Sequence, residues 1–304
     1  MKLYREFGQY VIAKKLWVSV DETTDSSGRK VGNVVVDVLK NDKTACEHSY
    51  LLACKEMLAA NHVTIARLFN EAMHLLWPKD ITYDHVLLFL TDNAAYMKKA
   101  AESLSVSFPK MIHVTCVVHA LHRLCETLRA QHPQVDKLVS NGKNVFVKAP
   151  STIDLFKEKN PDLALNPLPI VTRWGTWLSA VVYYADNFES FASVVNALDK
   201  NDVSSIEILQ EILKDSSLKN DLAFISANLS FLCITIDILE KSTNLLSKTV
   251  KEVRAVENKL DSLPALQVQR LLKVKDQNLF RKNRGFQKMC QISNVFRGCS
   301  CWRN

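Results

Sequence analysis

Glycine is scarce in this chain, with seven in 304 residues. A phosphate-cradling P-loop or a glycine-rich dinucleotide turn needs several glycines close together, and neither pattern occurs. No Ser-His-Asp arrangement is evident either. Apolar runs are short, and none reaches the roughly 20 residues of a membrane span. The amino-terminal stretch places Lys2, Arg5, Glu6, Lys14 and Lys15 around no apolar centre, so a secretory signal is not expected. Eight cysteines are scattered along the chain, several of them inside apolar runs (Cys54, Cys116, Cys233). The expectation is reduced thiols in a nuclear or cytoplasmic protein.

Acidic residues are missing from one place in particular. From Arg270 to Asn304 there are nine Lys/Arg and a single acid, Asp276, while the rest of the chain holds 30 basic and 31 acidic side chains. The overall charge of +7 therefore belongs to the last 35 residues, and a general basic surface on the body is not supported. Residues 276–304 show no sustained amphipathic period and carry three cysteines. They are expected to form a disordered basic tail, with a weak, salt-sensitive nucleic-acid contact as the lesser alternative.

The most informative positive feature is a pair of apolar strand patterns that each stop at an aspartate. One is Leu16-Trp17-Val18-Ser19-Val20-Asp21, the other His85-Val86-Leu87-Leu88-Phe89-Leu90-Thr91-Asp92. A run buried on both faces that ends on a carboxylate sets the acid at the carboxyl edge of a sheet, where open α/β sheets bind ligands. Two such edges side by side would suit a hard divalent cation such as Mg²⁺, as in two-metal phosphoryl transfer. A third acid for such a site is not evident.

The wider pattern predicts strands at about 16–21, 31–39, 48–54, 85–91 and 111–116. Helices are predicted at about 61–76, 95–104 and 118–130. The order β-β-β-α-β-α-β-α is the signature of an RNase H-like mixed sheet, in which the first and fourth strands are neighbours. After Pro133 only helical spacing persists, strongest over 174–198, 206–213 and 218–246. The predicted organisation is a lead-in (1–14), an RNase H-like α/β core (15–132), an all-helical region (133–275) and the tail (276–304).

These residues in this order resemble the hAT superfamily of DNA transposases and host proteins derived from them. The resemblance rests on Asp21-Glu22-Thr23-Thr24-Asp25 after the first strand and Thr91-Asp92-Asn93-Ala94-Ala95-Tyr96-Met97 after the fourth. It continues with Cys116-Val117-Val118-His119-Ala120-Leu121 after the fifth and Arg173-Trp174 heading a long helix. It spans about Lys15 to Leu260. It implies an RNase H-like core that cuts and joins DNA with two Asp and one Glu on two Mg²⁺ ions, and a helical domain inserted before the Glu. Asp21 and Asp92 would be the first two acids, Cys116 and His119 the Cys-x-x-His pair, and Arg173 and Trp174 the Arg-Trp pair. In the family that tryptophan lies near the active site and stacks on flanking DNA. No zinc-finger module precedes Lys15, and the Glu-bearing segment is not recognisable, so the chain is expected to be a truncated fragment.

Each candidate has a competing structural explanation. Asp92 could simply cap the following helix. Asp25 competes with Asp21 but falls beyond the strand. Cys116, His119, His122 and Cys125 recur at three-residue spacing, which suggests zinc. Steps of three fan around a helix, so a structural role is expected and no zinc. Trp177, one turn after Trp174, is expected in the core. The resulting expectation is a transposase-derived chain, inactive as an enzyme because its acid set is incomplete, with Mg²⁺ as the ancestral cofactor and DNA as the ancestral partner. The alternatives are a domesticated interaction module that binds protein or nucleic acid through the helical region, and a nuclease in which Glu207 or Glu211 substitutes for the missing acid. No membrane or small-molecule partner is expected.

Overall fold

The computed structural model describes residues 11, 14–39, 49–146, 149–165, 175–199, 204–241, 246–263 and 283–296. The chain divides into two compact units. The first is the α/β part up to Ala120, rejoined by 246–250 and 283–296; the second holds the helices between Leu121 and Lys241 together with 251–263.

The α/β unit is built on five strands: β1 (Leu16–Thr24), β2 (Lys30–Val38), β3 (Tyr50–Met57), β4 (Val86–Thr91) and β5 (Ile112–Thr115). Their order across the sheet is β3-β2-β1-β4-β5. β1 and β2 are antiparallel, as are β2 and β3, whereas β4 runs parallel to both β1 and β5. The β1–β2 hairpin turns at Gly28, whose φ of 80° favours glycine. Asp25 organises that turn: its carboxylate accepts the Ser27 and Arg29 N–H groups and pairs with the Arg29 guanidinium.

The connection from β3 to β4 carries α1 (His62–Leu76), and that from β4 to β5 carries α2 (Ala95–Ser105). Asn61 starts α1 with a capping box: its side chain accepts the Val63 and Thr64 N–H groups, and Thr64 Oγ1 accepts the Asn61 N–H. The recurrence of Ile65, Leu68, Phe69, Ala72, Met73 and Leu76 gives α1 one apolar face, and all six are buried. That face joins Leu16, Val18 and Val20 of β1 and Met97, Ala100, Ala101 and Leu104 of α2 in a single core. At its centre Phe69 meets Phe89 and Phe108 edge-on, with centroids 5.0 and 5.2 Å apart.

After β5 comes α3 (Val117–Gln131), and the unit boundary falls within it, at Ala120/Leu121, rather than at Pro133. The second unit continues with α4 (Pro133–Phe146), α5 (Pro150–Lys159), α6 (Thr176–Asp186), α7 (Phe188–Val195), α8 (Ser204–Ile212), α9 (Ser216–Leu229), α10 (Phe231–Glu240) and most of α11 (Leu246–Asp261). Its core includes Leu128, Leu138, Phe146, Phe156, Tyr184 and Phe191. The two longest helical runs of the sequence are each broken. Asn187 separates α6 from α7, its backbone leaving helical geometry at φ −120° and ψ 25°, and α9 meets α10 at 44° across Ser230. Among the described residues no single helix is long and apolar enough to cross a membrane.

The segment expected to be a tail is helical in part. Arg284–Phe296 forms α12, and it belongs to the α/β unit. Phe286 and Ser293 are buried, and the Asn283 amide donates to the Thr115 carbonyl of β5 at 2.8 Å. The expectation of disorder over 276–304 is therefore corrected for 284–296. A buried aromatic, Phe286, together with the hydrogen bond of Asn283 to β5, anchors this segment despite its basic composition. Residues 276–282 and 297–304, and the lead-in 1–10, lie outside the described part.

Candidate functional site

β1 and β4 run side by side in the same direction, with Ser19 level with Leu90. Continuing that register by two residues sets Asp21 beside Asp92 at the carboxyl edge of the sheet. Side-chain alternation along β1 buries Leu16, Val18 and Val20 on the core face and turns Asp21 the other way. The Asp21 carboxyl is half exposed. Burial pushes its pKa above the ordinary carboxylate value; the nearby His119 counteracts this, and the charge of Asp92 adds to the rise. A carboxylate whose charge adds to the proton affinity of Asp21 lies close to it.

Asp92 closes a short turn ahead of α2, one carboxylate oxygen accepting the Ala94 N–H at 3.0 Å. Ala94 is the N-cap residue of α2 and the helix start has no side-chain cap, so Asp92 is not the cap of that helix. Its second oxygen is not used in that contact. The preceding Thr91 is buried, its hydroxyl 2.9 Å from His113 Nε2 and donating to the Asp92 carbonyl. Burial holds the His113 pKa down at about 4, so the ring beside β4 is neutral at physiological pH. The Thr91 carbonyl accepts the Cys116 N–H at 2.7 Å, which ties the ends of β4 and β5 together.

Cys116 and His119 come from the start of α3. His119 Nε2 lies 4.0 Å from Asp21 Oδ1, beyond hydrogen-bonding distance. Burial raises the Cys116 thiol pKa, and the charges of Asp21 and Asp92 raise it further. Cys116 thus lies next to the acid pair, whose charges disfavour its thiolate. Cys125, further along α3, is buried in the helical unit, where its pKa of about 12 reflects burial and the proximity of Cys233. Cys116 and Cys125 thus have different neighbours. Among the described residues no group of three or more His, Cys, Asp or Glu side chains converges as a metal cage.

One residue of the site had no signal in the sequence beyond its position next to Asp21. Glu22 is nearly buried, receives the Tyr96 hydroxyl at 3.1 Å and pairs with Lys30 at 3.3 Å. Burial and the Glu22 contact raise the Tyr96 pKa to about 12. The Tyr96–Glu22 bond links α2, which follows Asp92, to β1, which carries Asp21. Asp25, the rival first acid, is committed to the hairpin turn.

Other candidates fall elsewhere. Trp177 is buried in the helical unit and donates to Asp136 at 3.1 Å, and Asp136 also receives Arg129. Glu207 and Glu211 are exposed on α8 of that unit. Arg173 and Trp174 lie outside the described residues.

Residues 2–145 match the family described as Domain of unknown function (DUF659). That domain is found in hAT-family transposase-like proteins. The matched segment runs from before β1 into α4 and contains the whole acid edge. No curated protein matches the chain.

Proposed function

We propose that the α/β unit is an RNase H-like fold of hAT-transposase descent, that Asp21 and Asp92 are its ancestral cation ligands, and that the chain neither cuts nor joins DNA. The observation that carries this reading is the placement of the two acids at the same edge of adjacent parallel strands, close enough for the Asp92 charge to raise the Asp21 pKa. The match of residues 2–145 to a domain of transposase-like proteins supports the descent.

The donor set fits a hard cation in part. Mg²⁺ is commonly held by one or two carboxylates, with waters and substrate phosphates completing the octahedron, and the mutual repulsion of Asp21 and Asp92 is what a cation would relieve. Such an ion supplies electrostatic stabilisation at phosphoryl oxygens and lowers the pKa of a bound water. The chain's own contribution is to present Asp21 from β1 and Asp92 from the β4–α2 turn. Glu22, the nearest further acid in the sequence, is engaged by Tyr96 and Lys30. Among the described residues the two carboxylates leave the site short of the ligands that position both attacking and leaving oxygens, and a missing group of this kind costs orders of magnitude in rate.

The test is a plasmid assay with Mg²⁺ or Mn²⁺. The wild-type chain is expected to leave supercoiled DNA intact and to join no ends. Nicking that disappears in Asp92→Asn would overturn the inactive reading and direct attention to other acids, Glu207 and Glu211 among them.

A further inference from the structure

We infer that the Asn283–Phe286 turn is a latch that holds the carboxyl edge of β4 and β5 in register, so that cation binding at Asp21 and Asp92 depends on α12 being docked. The cation consequence rests on the functional reading above; the latch itself does not.

Three observations meet at this point. The Asn283 side chain is buried and uses both ends of its amide: Nδ2 donates to the Thr115 carbonyl at 2.8 Å, and Oδ1 accepts the Phe286 N–H at 3.0 Å as the helix cap. Gly285 lies against the β5 backbone so closely that a Cβ would overlap the His113 carbonyl and crowd the Val114 Cα. The next residue after Thr115 is Cys116, whose N–H bonds the Thr91 carbonyl, and Thr91 directly precedes Asp92. A continuous path of short hydrogen bonds and peptide steps therefore leads from the start of α12 to the second acid. β5 is a strand of only four residues that, among the described residues, pairs with β4 and lies at the edge of the sheet. A strand this short has few ladder bonds of its own, and a helix seated on its backbone holds it in place.

The role proposed for Asn283 is positioning: it acts on Asp92 through Thr115, Cys116 and Thr91, with no contact to the ion. Two variants separate its functions. Asn283→Ser keeps a cap acceptor for Phe286 but is too short to reach Thr115, so α12 should remain while the latch opens. Gly285→Ala forces the helix off β5 sterically. Amide hydrogen exchange on the full chain is the primary readout. In both variants the Cys116 amide is expected to exchange about tenfold faster, the equivalent of one net hydrogen bond, while amides in β2 stay unchanged. Equal Cys116 exchange in wild type and both variants would overturn the latch. General acceleration across β2 would also overturn it, because α12 would then act on the whole fold. Mn²⁺ titration, followed by loss of the free-ion electron paramagnetic resonance signal, reads the consequence. Binding that Asp92→Asn abolishes should weaken several-fold in Asn283→Ser. Binding unchanged in Asn283→Ser, with Cys116 exchange accelerated, would show that the latch does not govern the acid pair. If the wild-type chain takes up no Mn²⁺, the cation reading and its link to the latch both fail, and the exchange data still decide whether the latch exists.

Discussion

At the scale of single residues, Asp21 is the acid that works against its own fold. Its carboxyl holds a proton more tightly in the native protein than the ordinary value of 3.8. By linkage, its contribution to stability is fully present below that value and is lost as the pH rises through the raised native pKa. At neutral pH the ionised form is therefore a net cost. Asp21→Asn should raise the melting temperature at pH 7 by about 1–2 °C, a small change because the group is half exposed. The gain should vanish below about pH 3, where the wild-type carboxyl is mostly protonated in both states. A lower melting point for the variant at pH 7 would show that the environment favours the charge. Functional sites are where such a cost is retained. Asp25 illustrates the opposite case: with the Arg29 N–H, the Arg29 side chain and Ser27 around it, its pKa is lowered, and it serves the hairpin alone. The two aspartates were separable in the sequence by their position relative to the strand. Glu22 was not, because its partner Tyr96 lies 74 residues further along.

At the scale of elements, strand and helix bounds in the α/β part followed the apolar period closely. β1, β2, β4 and β5 lie within three residues of their predicted ends, and α1, α2 and α3 within one. β3 begins two residues later than predicted and ends three later, at Met57. The helical unit was less legible. The run from 174 to 198 predicted one helix where the backbone leaves helical geometry at Asn187 and makes two, a local bend that hydrophobic spacing does not register. α12 was missed for a related reason. Its anchors Phe286 and Ser293 are few, and the segment docks on a β5 surface 168 residues away in the chain. Phe286→Ala should destabilise the α/β unit by about 3 kcal/mol, in the range for a buried phenylalanine, as read by chemical denaturation. An unchanged midpoint would return this segment to the status of a dispensable tail.

At the scale of the whole molecule, charge and fold are distributed differently. The excess positive charge lies from Arg270 onward, yet 283–296 is built into the α/β unit, whose other residues come from the nearly neutral body of the chain. Any DNA affinity should therefore reside in that basic segment and fall steeply with salt. Charge-reversing substitution of Arg281, Lys282 and Lys288 should reduce binding measured by fluorescence anisotropy at low salt by at least about tenfold. Affinity indifferent to these changes would place the contact elsewhere. The substitutions leave Asn283, Gly285 and Phe286 untouched, so a loss of binding would not be confused with loss of the latch.

The sequence by itself determined the order of strands and helices and the position of Asp92 just past the end of β4, because hydrophobic period and turn chemistry are local properties. It ended the first strand at Asp21, whereas β1 continues to Thr24 through its pairing with β2. It also located the excess charge. The neighbouring of the first and fourth strands followed from the order of strands and helices. Only the tertiary structure decided their register, that Glu22 is taken up by Tyr96 and Lys30, and that a basic segment returns to seal the edge strand. Those outcomes depend on contacts between residues tens to more than a hundred positions apart. Such contacts are set by which buried surfaces complement one another and leave no periodic trace along the chain.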